Sequence, residues 1–202
     1  MRLIAIFLLI SFAGAINADF DDAYGYLKQK EYIKALKEFK PLAEQGHVPS
    51  QMNLGWMHHK GLGVEQNYKT AIKWYEMAAN QDNEDAQHTL GNLYRNGEGK
   101  KDAVTKDLNK AMYYYKKASD NGFPYSTFTI GLMYEKGEGV DKSVKNATKW
   151  FKKTYEHGSI QKKVLGLWDS FRIAFLLDNY KDIHYKYRLL AHKSLELTRV
   201  EL

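Results

Sequence analysis

Glycine recurs in this chain at a fixed interval and in a fixed order. Gly55, Gly61 and Gly63 return as Gly91, Gly97 and Gly99, and again as Gly131, Gly137 and Gly139. Each set leads to an alanine (Ala71, Ala111, Ala147), then an aromatic pair (Trp74-Tyr75, Tyr114-Tyr115, Trp150-Phe151), then a small residue (Ala78, Ala118, Thr154). Gly55 and Gly91 are 36 residues apart, as are Ala111 and Ala147. A period of this length marks a solenoid of stacked units, because one unit cannot bury its own apolar face. That architecture directs the functional reading toward binding.

Each repeated position has a physical reason. Apolar residues from Ser50 to Lys60 fall at helical spacing, and a mid-helix glycine there costs about 1 kcal/mol relative to alanine. The spacing therefore predicts that a neighbouring helix approaches closely at Gly55, Gly91 and Gly131. Gly-x-Gly supplies residues able to take positive φ and stop the first helix. A second helix then starts at the predicted N-caps Asn67, Asp107 and Ser143. Its alanines mark tight crossings, and the aromatic pair fills the wider gap between layers. Between Gly99 and Ala111 the second unit holds four extra residues, Lys-rich and assigned to the loop between its helices.

The pattern L-G-x-x-Y-x-x-G-x-G-V followed by A-x-x-W-Y-x-x-A-A resembles the Sel-one-like repeat (SLR), a relative of the tetratricopeptide repeat. It reads Leu54 to Val64 with Ala71 to Ala79, Leu90 to Gly99 with Ala111 to Ala118, and Ile130 to Val140 with Ala147 to Phe151. Departures are His58 in place of tyrosine, Asp82 where Gly122 and Gly158 close the other units, and Lys100 where Val64 and Val140 stand. The resemblance implies an all-α fold, a right-handed α-α superhelix of stacked helix pairs. Some secreted members carry a disulfide in each repeat, and those are the ones linked to enzyme activity. This chain has no cysteine.

The segments divide as follows. Arg2, the apolar run Leu3 to Phe12 and Ala13-Gly14-Ala15 read as a signal peptide over 1–18, cleaved after Ala15 or Ala18. The run is too short to span a membrane. A partial helix pair over 19–49 precedes repeats at 50–85, 86–125 with the insertion, and 126–160. Residues 161–202 read as a capping helix pair, with the alternative that they carry the partner-binding surface. The expected location is periplasmic or secreted.

Charge is uneven. Asp19 to Asp85 holds 8 basic against 11 acidic residues, and Ala86 onward 21 against 13. Lys142, Lys145, Lys149, Lys152, Lys153, Lys162 and Lys163 lie close in sequence. The ordinary reading is a solvated helix face, and the rival one is a basic surface for an acidic protein or an anionic membrane. Nucleic acid is not an expected partner of an exported chain.

The sequence offers no catalytic constellation: no Gly-x-Ser-x-Gly, no His-Glu-x-x-His, no phosphate loop and no cysteine nucleophile. His58 and His59, adjacent on a helix, point about 100° apart and make a poor chelate. Asn146-Ala147-Thr148 is a formal glycosylation acceptor, but Ala147 is a core position. The expectation is a non-enzyme without metal or cofactor that binds another protein. In stacked helix pairs the first helices line the concave side, where partners lie. Their residues not claimed by packing are Asn53, Trp56 and Lys60; Thr89, Asn92 and Asn96; and Thr129, Leu132 and Lys136, each trio on one helix face. Trp56 and Leu132 either anchor the partner or pack against the next helix. The general reading is an envelope scaffold or regulator. The alternative, from resemblance to short exported SLR proteins, is an immunity protein that neutralises a toxic effector such as a lipase.

Overall fold

The computed structural model describes residues 19–99 and 104–158, so the proposed leader and the proposed C-terminal cap lie outside the described residues. All of the extended secondary structure described is helical. Residues 19–28 form α1, followed by α2 (Tyr32–Glu44), α3 (Val48–Lys60), α4 (Tyr68–Ala79), α5 (Glu84–Asn96), α6 (Leu108–Asp120), α7 (Pro124–Lys136) and α8 (Val144–Gly158). The chain divides between Phe123 and Pro124 into two compact units. In the first, α2 packs on α3, α3 on α4, α4 on α5 and α5 on α6; in the second, α7 packs on α8.

The repeated residues form the core. Ala71, Ala111 and Ala147 are fully buried, as are Leu54, Leu90 and Ile130. One apolar cluster joins Ala23, Phe39, Leu54 and Met57 with Trp74 against it, and another joins Ala71, Tyr75, Ala86, Leu90 and Leu93 with Tyr94 and Tyr114 against it. The mid-helix glycines answer to a side chain, not to a neighbouring backbone. A Cβ at Gly55 would sit 2.6 Å from the Tyr75 ring and one at Gly91 2.5 Å from the Tyr115 ring, while Gly131 meets Phe151 in the same way. The second member of each aromatic pair therefore packs its ring, along the Cδ1–Cε1 side, against a first-helix glycine of its own repeat. Burying such a ring contributes about 2 kcal/mol or more, which outweighs the lost helix propensity.

The turns repeat equally closely. Gly61, Gly97 and Gly137 end the first helices with φ of 71°, 68° and 72°. Asn67 accepts from the Thr70 amide at 2.8 Å, Asp107 from Lys110 at 3.0 Å, and Ser143 from Asn146 at 3.2 Å, so all three predicted caps form. The amide of each cap residue donates back to the first helix, to the carbonyls of His58, Tyr94 and Tyr134 respectively. His58 thus keeps the backbone role of the tyrosine it replaces. Asp82 likewise takes the left-handed conformation of the glycines at corresponding positions, with φ of 60° beside 93° at Gly46 and 92° at Gly122.

The Lys100 departure disappears in three dimensions. Val104 stands three residues before its helix cap, as Val64 and Val140 do before theirs, and it is buried. In sequence the four extra residues, 100–103, fall between Gly99 and Val104, and Glu98 and Val104 pair in an antiparallel bridge. Its two hydrogen bonds measure 3.1 and 2.6 Å.

Candidate protein-binding surface

The three trios lie on α3, α5 and α7. In the first unit, Trp56 is 40% exposed and Lys60 is exposed on the last turn of α3. Asn53, half-buried, donates to the Pro49 carbonyl at 2.9 Å. On α5, Thr89 is half-buried and Asn96 exposed, but Asn92 is engaged: its carbonyl accepts from the Tyr115 hydroxyl at 2.7 Å. Both helices pack against α4. In the second unit, Thr129 donates to the Tyr125 carbonyl at 2.8 Å, Leu132 is half-buried and Lys136 is exposed. Trp56 is thus the one large exposed apolar side chain among the nine, at the position held by Asn92 and Leu132 in the other repeats.

Several polar features near these helices were not read from the sequence. His59 Nε2 lies 3.0 Å from Glu98 Oε2, which ties the end of α3 to the glycine turn after α5. Burial lowers the His59 pKa; the Glu98 carboxylate pulls the other way and Lys60 adds to the lowering, so burial prevails. His58 is also pushed down by burial, and its Nδ1 is buried without a hydrogen-bond partner. Burial and the Glu98 charge both raise Tyr75. Tyr114 stacks on Tyr94 at 5.8 Å and donates to Glu76 at 3.2 Å, and burial raises both phenols.

Two buried glutamines form a second repeated device. Gln51 donates to the Ala43 carbonyl at 3.0 Å and accepts from Gln81 at 2.9 Å. Thirty-six residues on, Gln87 donates to Ala79 at 3.1 Å and accepts from Asn121 at 3.0 Å. Each glutamine joins the end of the preceding second helix to the end of the following one. The signal was available: a glutamine four residues before each of two period-marking glycines. Hydrophobic pattern alone passes over it, because a polar residue at a core position reads as a surface one.

Nothing in this arrangement gathers a nucleophile with a base, and among the described residues no group of three or more histidine, cysteine or acidic side chains is placed to hold a metal. What it presents is a helix surface with an exposed tryptophan, the form of a helix-pair repeat protein. The family model described as Sel1 repeat matches residues 48–83, 84–123 and 124–159, more than half of the chain. The chain belongs to the Sel1 repeat family.

Among curated proteins it is similar to a putative sel1-like repeat-containing protein of Acanthamoeba polyphaga mimivirus, 34% identical over 89 residues, which covers 44% of this chain and 16% of that protein. It is also similar to human protein sel-1 homolog 2, 35% identical over 93 residues, covering 46% and 13%. The chain thus spans less than a fifth of either relative's length. A solved Sel1 repeat protein from Oxalobacter formigenes superposes with a TM-score of 0.59 at 30% identity, covering 67% of this chain and 54% of that one. A protective antigen present in uropathogenic Escherichia coli strains, displaying an SLR fold, gives 0.64 at 28% identity, with coverage of 73% and 32%. No helix among the described residues is long and apolar enough to cross a membrane.

Proposed function

We propose that this chain is an exported, non-catalytic protein-binding module, a scaffold or regulator that holds its partner on the face carrying Asn53, Trp56 and Lys60, with Thr89 and Asn96 as further contacts. The observation that carries this reading is Trp56, an aromatic left 40% exposed on a packed helix whose neighbours Leu54 and Met57 are buried. Exposed aromatics anchored on rigid helices are the usual hot spots of protein interfaces. Asn92 is the weakest of the nine candidates, since Tyr115 already occupies its carbonyl. The trio Thr129, Leu132 and Lys136 belongs to the same proposal through the second unit. Export rests on the leader reading, and the membership of the Sel1 repeat family supports the binding role.

The test is capture from envelope extracts with the full chain and with Trp56→Ala, followed by titration of the captured protein. Trp56→Ala should weaken binding by about 2 kcal/mol or more and leave helicity and melting unchanged. Unchanged affinity removes Trp56 from the site, and a collapsed melting temperature makes it core. If the captured protein is a toxic hydrolase whose activity falls as the chain is added, the immunity reading replaces the scaffold one. The same fractions report whether the chain is recovered outside the cytoplasm and without its first residues.

A further inference from the structure

The residue just before each second-helix cap, together with three positions along the outer side of the helix itself, differs in charge between repeats. Taken at matching positions, this set reads Gln66, Lys69, Lys73 and Glu76 in the first repeat, and Lys106, Asn109, Tyr113 and Lys116 in the second. In the third it reads Lys142, Lys145, Lys149 and Lys152, all four exposed. Within α8 the segment from Val144 to Thr154 has no acidic residue, and the one acidic residue of the helix, Glu156, lies four residues beyond Lys152. Among the described residues no ion pair takes up any of these four lysines.

Such a stripe works against the helix that bears it. Lys145 and Lys149 are four residues apart and Lys149 and Lys152 three apart, so like charges meet on one face. Lys145 also stands in the first turn, where the helix dipole disfavours a cation, and no acidic residue offsets it there. The first two repeats show that the position tolerates glutamine, asparagine, tyrosine and glutamate. The ordinary demand for a wet face is therefore met without four lysines.

We propose that the α8 stripe is a docking surface for an acidic segment of a partner protein, beyond the contact assigned to Trp56. Lys145 to Lys152 extends about 10 Å along the axis, a span that carboxylates on a short acidic helix or strand can match. A lipid surface is the poorer fit, because no apolar side chain lies on the stripe to insert. The nearest exposed one, Val144, points about 100° away from Lys145. Phosphate-rich nucleic acid is also a poorer fit, since the stripe has no arginine for bidentate contacts.

The experiment uses the full chain and a fluorescein-labelled peptide of alternating glutamate and alanine, about a dozen residues long, beside its glutamine counterpart. The triple variant Lys145→Gln, Lys149→Gln, Lys152→Gln should weaken glutamate-peptide binding about 10-fold or more and reduce its salt dependence. The pair Lys69→Gln, Lys73→Gln on the corresponding face of α4 should change it less than about twofold. Glutamine matches lysine in helix propensity, so circular dichroism should be unchanged in both. Equal losses in the two variants would show a diffuse field and overturn the proposal. So would equal binding of the glutamine peptide, or tighter binding to vesicles containing phosphatidylserine or to a DNA duplex than to the glutamate peptide. Loss of Trp56-dependent partner binding leaves this result separate, because the peptide assay does not use that face.

Discussion

The second and third repeats carry the same frame with different interiors. In the second, the Tyr115 ring covers Gly91 and its hydroxyl donates to Asn92. In the third, Phe151 covers Gly131, and the residue matching Asn92 is Leu132. Three residues before the glycine, His88 lies 5.6 Å from the Tyr115 ring at 48°; Phe128 lies 5.3 Å from Phe151 at 41°. Four residues before it, the bridging Gln87 corresponds to the buried Thr127. The geometry survives while its chemistry turns from polar to apolar. Donor and acceptor disappear together because a buried polar group left alone costs about 1 to 3 kcal/mol, whereas replacing both is nearly neutral. Shape is set by glycine, alanine and ring, whereas between the second and third repeats the Tyr115–Asn92 pair changes as a unit to Phe151 and Leu132.

That comparison breaks first at the glycines. Gly91→Leu should destabilise the chain by about 3 kcal/mol or more, through overpacking against Tyr115, although leucine is the better helix former. Gly131→Leu should do the same against Phe151. Thermal or urea unfolding measures both, and a raised melting temperature would show that the ring does not require the glycine. Coupling is the sharper check: Gly91→Ala should cost much less when Tyr115 is already leucine.

Nearly as large is an acid response centred on His88 in the second repeat. Burial pushes the His88 pKa down to about 4, below the ordinary value near 6.5. The folded protein favours neutral imidazole, so the unfolded chain binds more protons between those values. The contribution is complete above about pH 6.5 and is lost as pH falls toward 4, by up to about 3 kcal/mol. His88→Phe, which copies Phe128, should flatten the stability profile between pH 7 and 4.5. An unchanged slope would locate the acid sensitivity elsewhere.

The smallest effect tests the matched pair itself. Tyr115→Phe should cost about 1 kcal/mol by leaving the Asn92 carbonyl without its donor. Adding Asn92→Leu, which transplants the third repeat's combination, should recover most of it. A double variant as unstable as the sum of the two single variants would show that hydroxyl and amide act independently.

Much of the frame was legible in the sequence. Gly61, Gly97 and Gly137 as helix stops, and Asn67, Asp107 and Ser143 as caps, are local features: the residue's own backbone or short side chain does the work within four positions. Less legible was what the mid-helix glycines face, since a missing side chain records closeness without naming the neighbour. The engagement of Asn92 by Tyr115 was hidden too, because the two lie 23 residues apart and either alone passes for a surface polar group. Lys100 looked like a lost valine for a related reason. The pattern was read forward from the glycines, whereas the register of Val104 is set from the helix cap behind it.

The sequence by itself determined the repeat, its helix pairs and their ends, because periodicity, glycine conformation and capping act over short stretches of chain. Tertiary structure decided which ring covers which glycine, which histidine loses its proton and which asparagine is occupied. Those outcomes depend on burial and on partners brought together from distant positions, and neither is a property of a residue in its own segment. Trp56 stands between the two: its place on α3 follows from the period, but only packing left its ring in water.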